Sequence, residues 1–109
     1  MTRKPKSAPS RSHEAATVES FRKDPQFAAE YLNAVLADGD QEEVMLVLRR
    51  LSKACGGVPK LAKAAELNAT TLYRTLSPKG NPELKSLTAL LRALGMQLAV
   101  RPLSQKRAA

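Results

Sequence analysis

Apolar residues recur at three- and four-residue intervals through most of the chain, and breakers divide the pattern into five helical segments. Phe27, Ala28, Tyr31, Val35 and Leu36 form the first stripe, behind Asp24 as an N-cap and Pro25 at the first helical position. They predict a helix over about Pro25–Ala37, ended by Asp38-Gly39-Asp40. Val44, Val47, Leu48, Leu51 and Ala54/Cys55 predict a second over about Gln41–Cys55, capped by Asp40 and stopped at Gly56-Gly57, where a left-handed backbone is inexpensive. The acidic pair Glu42-Glu43 suits the positive end of that helix.

The next two segments are short. Val58, Leu61, Ala62 and Ala65 predict a helix over about Pro59–Ala65, and Leu72 and Leu76 predict another over Ala69–Leu76, with only Glu66, Leu67 and Asn68 between them. Two helices of two turns joined by three or four residues have the dimensions of a helix-turn-helix. Small Ala62 and Ala65 let such helices approach closely, and Leu67 plugs the core they share. After the breaker Ser77–Pro82, Asn81 is the candidate cap of a fifth helix with Pro82 at its first position. Leu84, Leu87, Leu90/Leu91 and Leu94 form its stripe, and it ends at Gly95.

Met96, Leu98 and Val100 then alternate with Gln97, Ala99 and Arg101, a period of two that predicts one short strand. A lone strand needs a partner, which can be another subunit, a stretch near residues 17–21, or a bound protein. The fold class expected is therefore all-α, five helices containing a helix-turn-helix, with a short C-terminal β-strand. Residues 1–12 are basic, rich in Pro and Ser and without periodicity, and Thr17–Phe21 can be a short turn or a strand. The organisation expected is a disordered basic arm over 1–16, one DNA-binding domain over 17–103 and a flexible basic tail over 104–109.

A length of 109 residues limits the chain to one hydrophobic core. With two Phe, two Tyr and no Trp, that core must be built from Leu, Val and Ala. Charge changes the picture more. Of the net +8, residues 56–109 carry nine basic and two acidic side chains, whereas residues 21–55 carry five and six. A positive field concentrated on one half attracts a polyanion and supplies the salt-sensitive part of nucleic-acid affinity. The single Cys55 gives neither an intramolecular disulfide nor a thiolate cluster for zinc, which suits a reducing, cytoplasmic setting. No apolar run approaches the roughly 20 residues that span a bilayer, and no apolar segment follows the basic N-terminus as in a secretory signal.

If Ala69–Leu76 is the recognition helix, Leu72 and Leu76 fix its inward face, and Thr70, Thr71, Tyr73 and Arg74 are left as candidates for base contacts. The guanidinium fork of Arg74 matches the O6/N7 edge of guanine, and a threonine methyl suits the methyl of thymine. Lys60, Lys63, Asn68, Ser77 and Lys79 surround this element and are the candidates for phosphate contacts. Ordinary exposed polar residues are the plain alternative for each.

The stretches YLNAVLADGD (31–40), LAKAAELNATTLYRTLSPKGNP (61–82) and LLRALGMQLAV (90–100) resemble the addiction-module antidote family, the HigA-like antitoxins, over about Asp24 to Val100. Within them LYRTLSPKGNP is the most specific. The resemblance implies a five-helix lambda-repressor-like domain that binds its own operator as a homodimer. It also implies a partner, a small basic toxin resembling the HigB/RelE-type mRNA interferases, which the antidote binds and silences. It places the recognition helix on Ala69–Leu76, with Thr70, Thr71, Tyr73 and Arg74 facing DNA. Two positions depart from the family pattern. Glu66 stands where the turn usually has glycine, so a left-handed backbone there is either strained or rearranged. Ala69-Thr70 replaces the Arg-Glu that often opens the helix, which implies a different operator. For the toxin, the N-terminal segment to about Tyr31 and the C-terminal strand are the candidate surfaces.

Nothing points to catalysis, a cofactor or a metal. His13 has only Glu14 beside it, Cys55 closes a helix among apolar neighbours, and Gly56-Gly57 lacks the Lys-Ser/Thr of a phosphate-binding loop. Three functions remain open: an autoregulating antitoxin, a stand-alone transcriptional regulator of phage or mobile-element type, and a protein-interaction module without specific DNA binding.

Overall fold

Six helices follow one another in the computed structural model, which describes residues 11–103: α1 (Arg11–Lys23), α2 (Pro25–Asp38), α3 (Gln41–Ala54), α4 (Val58–Ala65), α5 (Ala69–Thr75) and α6 (Leu84–Ala93). The helices α2 to α5 lie within a residue or so of the predicted limits. Their caps explain why. Asp24 accepts from the amide of Phe27 at 3.1 Å, and Pro25, which has no N–H to lose, opens α2. Asp40 accepts from the amides of Glu42 and Glu43 at 3.1 and 3.3 Å to start α3. Gly39, with φ of +82°, ends α2 in the left-handed conformation.

Two expectations are corrected. Six helices are present among the described residues where five are predicted, because Arg11–Lys23 is helical in place of the turn or strand at Thr17–Phe21, and the helix takes in residues 11–16 of the expected arm. Its apolar content is low, Phe21 being the one buried side chain among those described in it, so periodicity does not reveal it. The C-terminal strand over Met96–Val100 is also absent, since no strand occurs among the described residues. The stretch at 17–21, one of its candidate partners, is occupied in a helix, and a single strand cannot form without a neighbour. Residues 1–10 of the expected arm and the tail at 104–109 lie outside the described residues.

The last helix begins at Leu84 with Glu83 as its N-cap, two residues beyond the predicted start at Pro82. Gln41 of α3 holds the preceding turn by donating from Nε2 to the carbonyl of Gly80 at 2.9 Å, and Asn81–Glu83 carry the chain from there into α6.

Two groups of helices share the core. The first packs α1 against α2 and α3, and α2 against α3; in the second, α4 packs on both α5 and α6 and joins the first through α3. Phe21, Leu32, Met45, Leu48 and Leu51 fill the first group, while Leu61, Ala62, Leu72, Leu76, Leu90 and Leu91 fill the second. Phe21, Phe27 and Tyr31 form an aromatic trio with ring centroids 5.3–5.9 Å apart, which locks α1 onto α2. Arg50 is 95% buried inside this assembly and donates from Nε to Glu14 of α1.

Candidate nucleic-acid interface

Close approach of α4 and α5 depends on small side chains, as the sequence implies. Ala62 is buried, and Leu67 in the connection packs against the same core. The connection is closed by backbone bonds from Glu66 N to Lys63 O (3.2 Å) and from Leu67 N to Ala62 O (2.8 Å). Glu66 takes φ 59° and ψ 43°, the left-handed conformation that glycine adopts at no steric cost. The turn is therefore strained and not rearranged. Asn68 then caps α5, its side-chain oxygen accepting from the amide of Thr71 at 2.9 Å.

Along α5 the inward and outward faces separate cleanly. Leu72 and Leu76 are buried, while Thr70, Thr71, Tyr73 and Arg74 are exposed, Tyr73 by 58%. Asn68, Lys60, Lys63 and Lys79 are exposed as well. Ser77 is only half exposed, and its hydroxyl donates to the carbonyl of Arg74 at 2.8 Å, which makes it part of the C-terminal cap of α5.

The site has supports that sequence reasoning does not find. Arg49 of α3 donates to the carbonyl of Leu76 and Gln41 to that of Gly80, so both the end of α5 and the turn after it are tied to α3. Gly80 has no room for a side chain, because a Cβ there would lie 1.7 Å from the carbonyl oxygen of Thr75. Both contacts link residues 27 or more apart in sequence, and no local pattern signals them.

Lys60 does not stand with α5 alone. It lines a shallow groove of about 350 Å³ with Arg22 from the end of α1 and Lys53 from the end of α3. Lys53 donates to Oε2 of Glu14 at 2.9 Å and Arg22 pairs with Glu19, whereas Lys60 has no carboxylate partner among the described residues. The Lys53 and Arg50 hydrogen bonds hold the Glu14 carboxyl below its ordinary value, against the opposing effect of burial. Helix α1 thus brings a cation, Arg22, beside Lys60, and the sequence assigns that cation to no element.

No group of three or more His, Cys, Asp or Glu side chains that can hold a metal occurs among the described residues, and no helix there is long and apolar enough to cross a membrane. Residues 14–102 match the model of a family described as "Probable addiction module antidote protein". The match begins at Glu14, within α1, where the resemblance read from the residues begins at about Asp24. No curated protein and no solved structure matches the chain. Since the matched stretch takes in helices α2 to α6 and most of α1, the chain belongs to the addiction-module antidote family.

Proposed function

We propose that the chain is the antidote of a toxin–antidote pair and that it also represses its own operon, with α4, the turn at Glu66–Asn68 and α5 acting as a helix-turn-helix. The observation that carries the DNA-binding part is the division of α5 into buried Leu72 and Leu76 and exposed Thr70, Thr71, Tyr73 and Arg74. In this reading α5 enters the major groove, Arg74 takes a guanine edge, and Thr70, Thr71 and Tyr73 contact neighbouring bases. Lys60, Lys63 and Lys79 neutralise phosphates, and Asn68 presents the start of α5 to the backbone; Ser77 contributes through the cap it makes.

A single module of this size covers few base pairs, so the working form is a homodimer on half-sites about one helical turn apart. The partner to be silenced is a small basic mRNA interferase of the HigB/RelE type, bound directly and without any chemistry on the antidote's side. The alternative of an interaction module without DNA affinity draws on Glu66 in the turn, and the left-handed backbone at that residue weakens it.

Fluorescence anisotropy with a labelled fragment from upstream of the gene tests the reading. Selective binding over unrelated DNA at physiological salt, lost in Arg74→Ala, is the expected result. Equal, weak binding to both fragments would reduce the basic half to a non-specific field.

A further inference from the structure

Residues 24–48 contain six carboxylates, Asp24, Glu30, Asp38, Asp40, Glu42 and Glu43, and not one Lys or Arg. Eighteen basic and four acidic side chains make up the rest of the chain, so α2 and the start of α3 form a negative pole on a positive molecule. All six carboxylates are exposed, and none is paired with a cation among the described residues.

This pole borders an open hollow. A groove of about 490 Å³ runs between α2 and the segment after α6, with Leu32, Leu36, Leu91, Met96 and Leu98 among its lining. A second hollow of about 170 Å³ shares Leu32, Leu36, Leu91 and Leu98 with it and reaches Gly39 and Gln41, next to Asp38, Asp40 and Glu42. At the other end Gln26 lines the groove and donates to Glu30 at 3.2 Å. Leu36 is 43% exposed and Leu98 41%, and the one cation in either lining is Arg101. The backbone groups of Gln97–Arg101 have no hydrogen-bond partner among the described residues.

We propose that this face of α2 and the segment after α6 is where the toxin docks, a basic protein that seats apolar side chains along Leu36 and Leu98 while its cations face the six carboxylates. The proposal rests on the antidote reading above. Charge selects the occupant: a second copy would set these carboxylates against their own equivalents, and DNA is repelled by them. An apolar centre within a charged rim is also the usual anatomy of a protein–protein contact. None of the residues assigned to DNA lines either hollow, so operator and toxin can be held at once.

The test is calorimetric titration of the full chain with the purified product of the toxin-like reading frame beside its gene, for wild type, Leu36→Ala and Asp38→Lys. Asp38 lies in the last turn of α2, where a cation suits the helix dipole, so the lysine variant keeps the helix. Expected is a loss of toxin affinity of tenfold or more in both variants, with operator binding unchanged and wild-type affinity falling as salt is raised. Wild-type toxin affinity in both variants would overturn the docking surface and leave the antidote reading standing. A toxin that fails to bind the wild-type chain would overturn both. Undiminished toxin binding with loss of self-association in sedimentation would give the groove to a second copy instead.

Discussion

The Nε of Arg50 donates to Oε1 of Glu14 at 2.8 Å, and through this bond the buried guanidinium of α3 is paired with a carboxylate from α1. Lys53 holds the other oxygen at 2.9 Å. The carboxylate therefore fixes α1 to α3 at two points, beside the groove that Arg22, Lys53 and Lys60 line.

Removing that carboxylate leaves Arg50 buried without its partner. Glu14→Ala is expected to lower stability by about 1.5–3 kcal/mol at neutral pH, as measured by urea denaturation. The Glu14 carboxyl is held below its ordinary value of 4.5, so its stabilisation is complete above that pH and is lost as the pH falls through the lower value of the folded state. The gap between wild type and variant should accordingly narrow on acidification from pH 4.5 downward. A gap that is constant with pH would mean that the ion pairs contribute nothing beyond packing.

Glu66 is the only residue other than glycine with positive φ among the described residues. Glu66→Gly removes a Cβ contact that costs about 1–2 kcal/mol and adds chain entropy to the unfolded state, for an expected net gain of about 0.5–1 kcal/mol. Thermal unfolding should show a raised Tm, and an unchanged or lower one would show that the glutamate side chain makes a compensating interaction.

Gly80 meets the opposite constraint. A Cβ would collide with the Thr75 carbonyl oxygen, which is backbone at the end of α5 and has no rotamer to yield. Gly80→Ala should cost about 1–3 kcal/mol and displace the turn that Gln41 holds. Operator affinity measured by anisotropy should fall with it, although residue 80 itself contacts no base in the proposed complex.

Phosphate and base contacts separate by their salt and sequence dependence. Lys60→Ala and Lys63→Ala are expected to weaken binding to operator and unrelated DNA alike and to reduce the slope of log K against log salt by about 0.9 each. Arg74→Ala should instead cost about 1–3 kcal/mol on the operator alone. An unchanged salt slope in either lysine variant would take that residue off the contact list.

Local sequence determined the four middle helices, because each carries its own apolar stripe and three of them their own side-chain cap. Asp24 and Asp40 start two of them with the hydrogen bonds expected of them, and Asn68 starts a third. The outward face of α5 was legible for the same reason: once Leu72 and Leu76 point inward, a period of 3.6 leaves Thr70, Thr71, Tyr73 and Arg74 outside. Only tertiary structure decided the rest. Helix α1 is too polar to announce itself and is held by Phe21 and Glu14, whose partners lie on α2 and α3. The segment at Met96–Val100 has the alternation of a strand, yet a strand is defined by its neighbour, and none of the described residues supplies one. The ties from Arg49 to Leu76 and from Gln41 to Gly80 were illegible because hydrogen bonds between distant residues follow from how helices pack. The negative pole was spelled out in residues 24–48, but the groove beside it exists only because α6 returns the chain against α2.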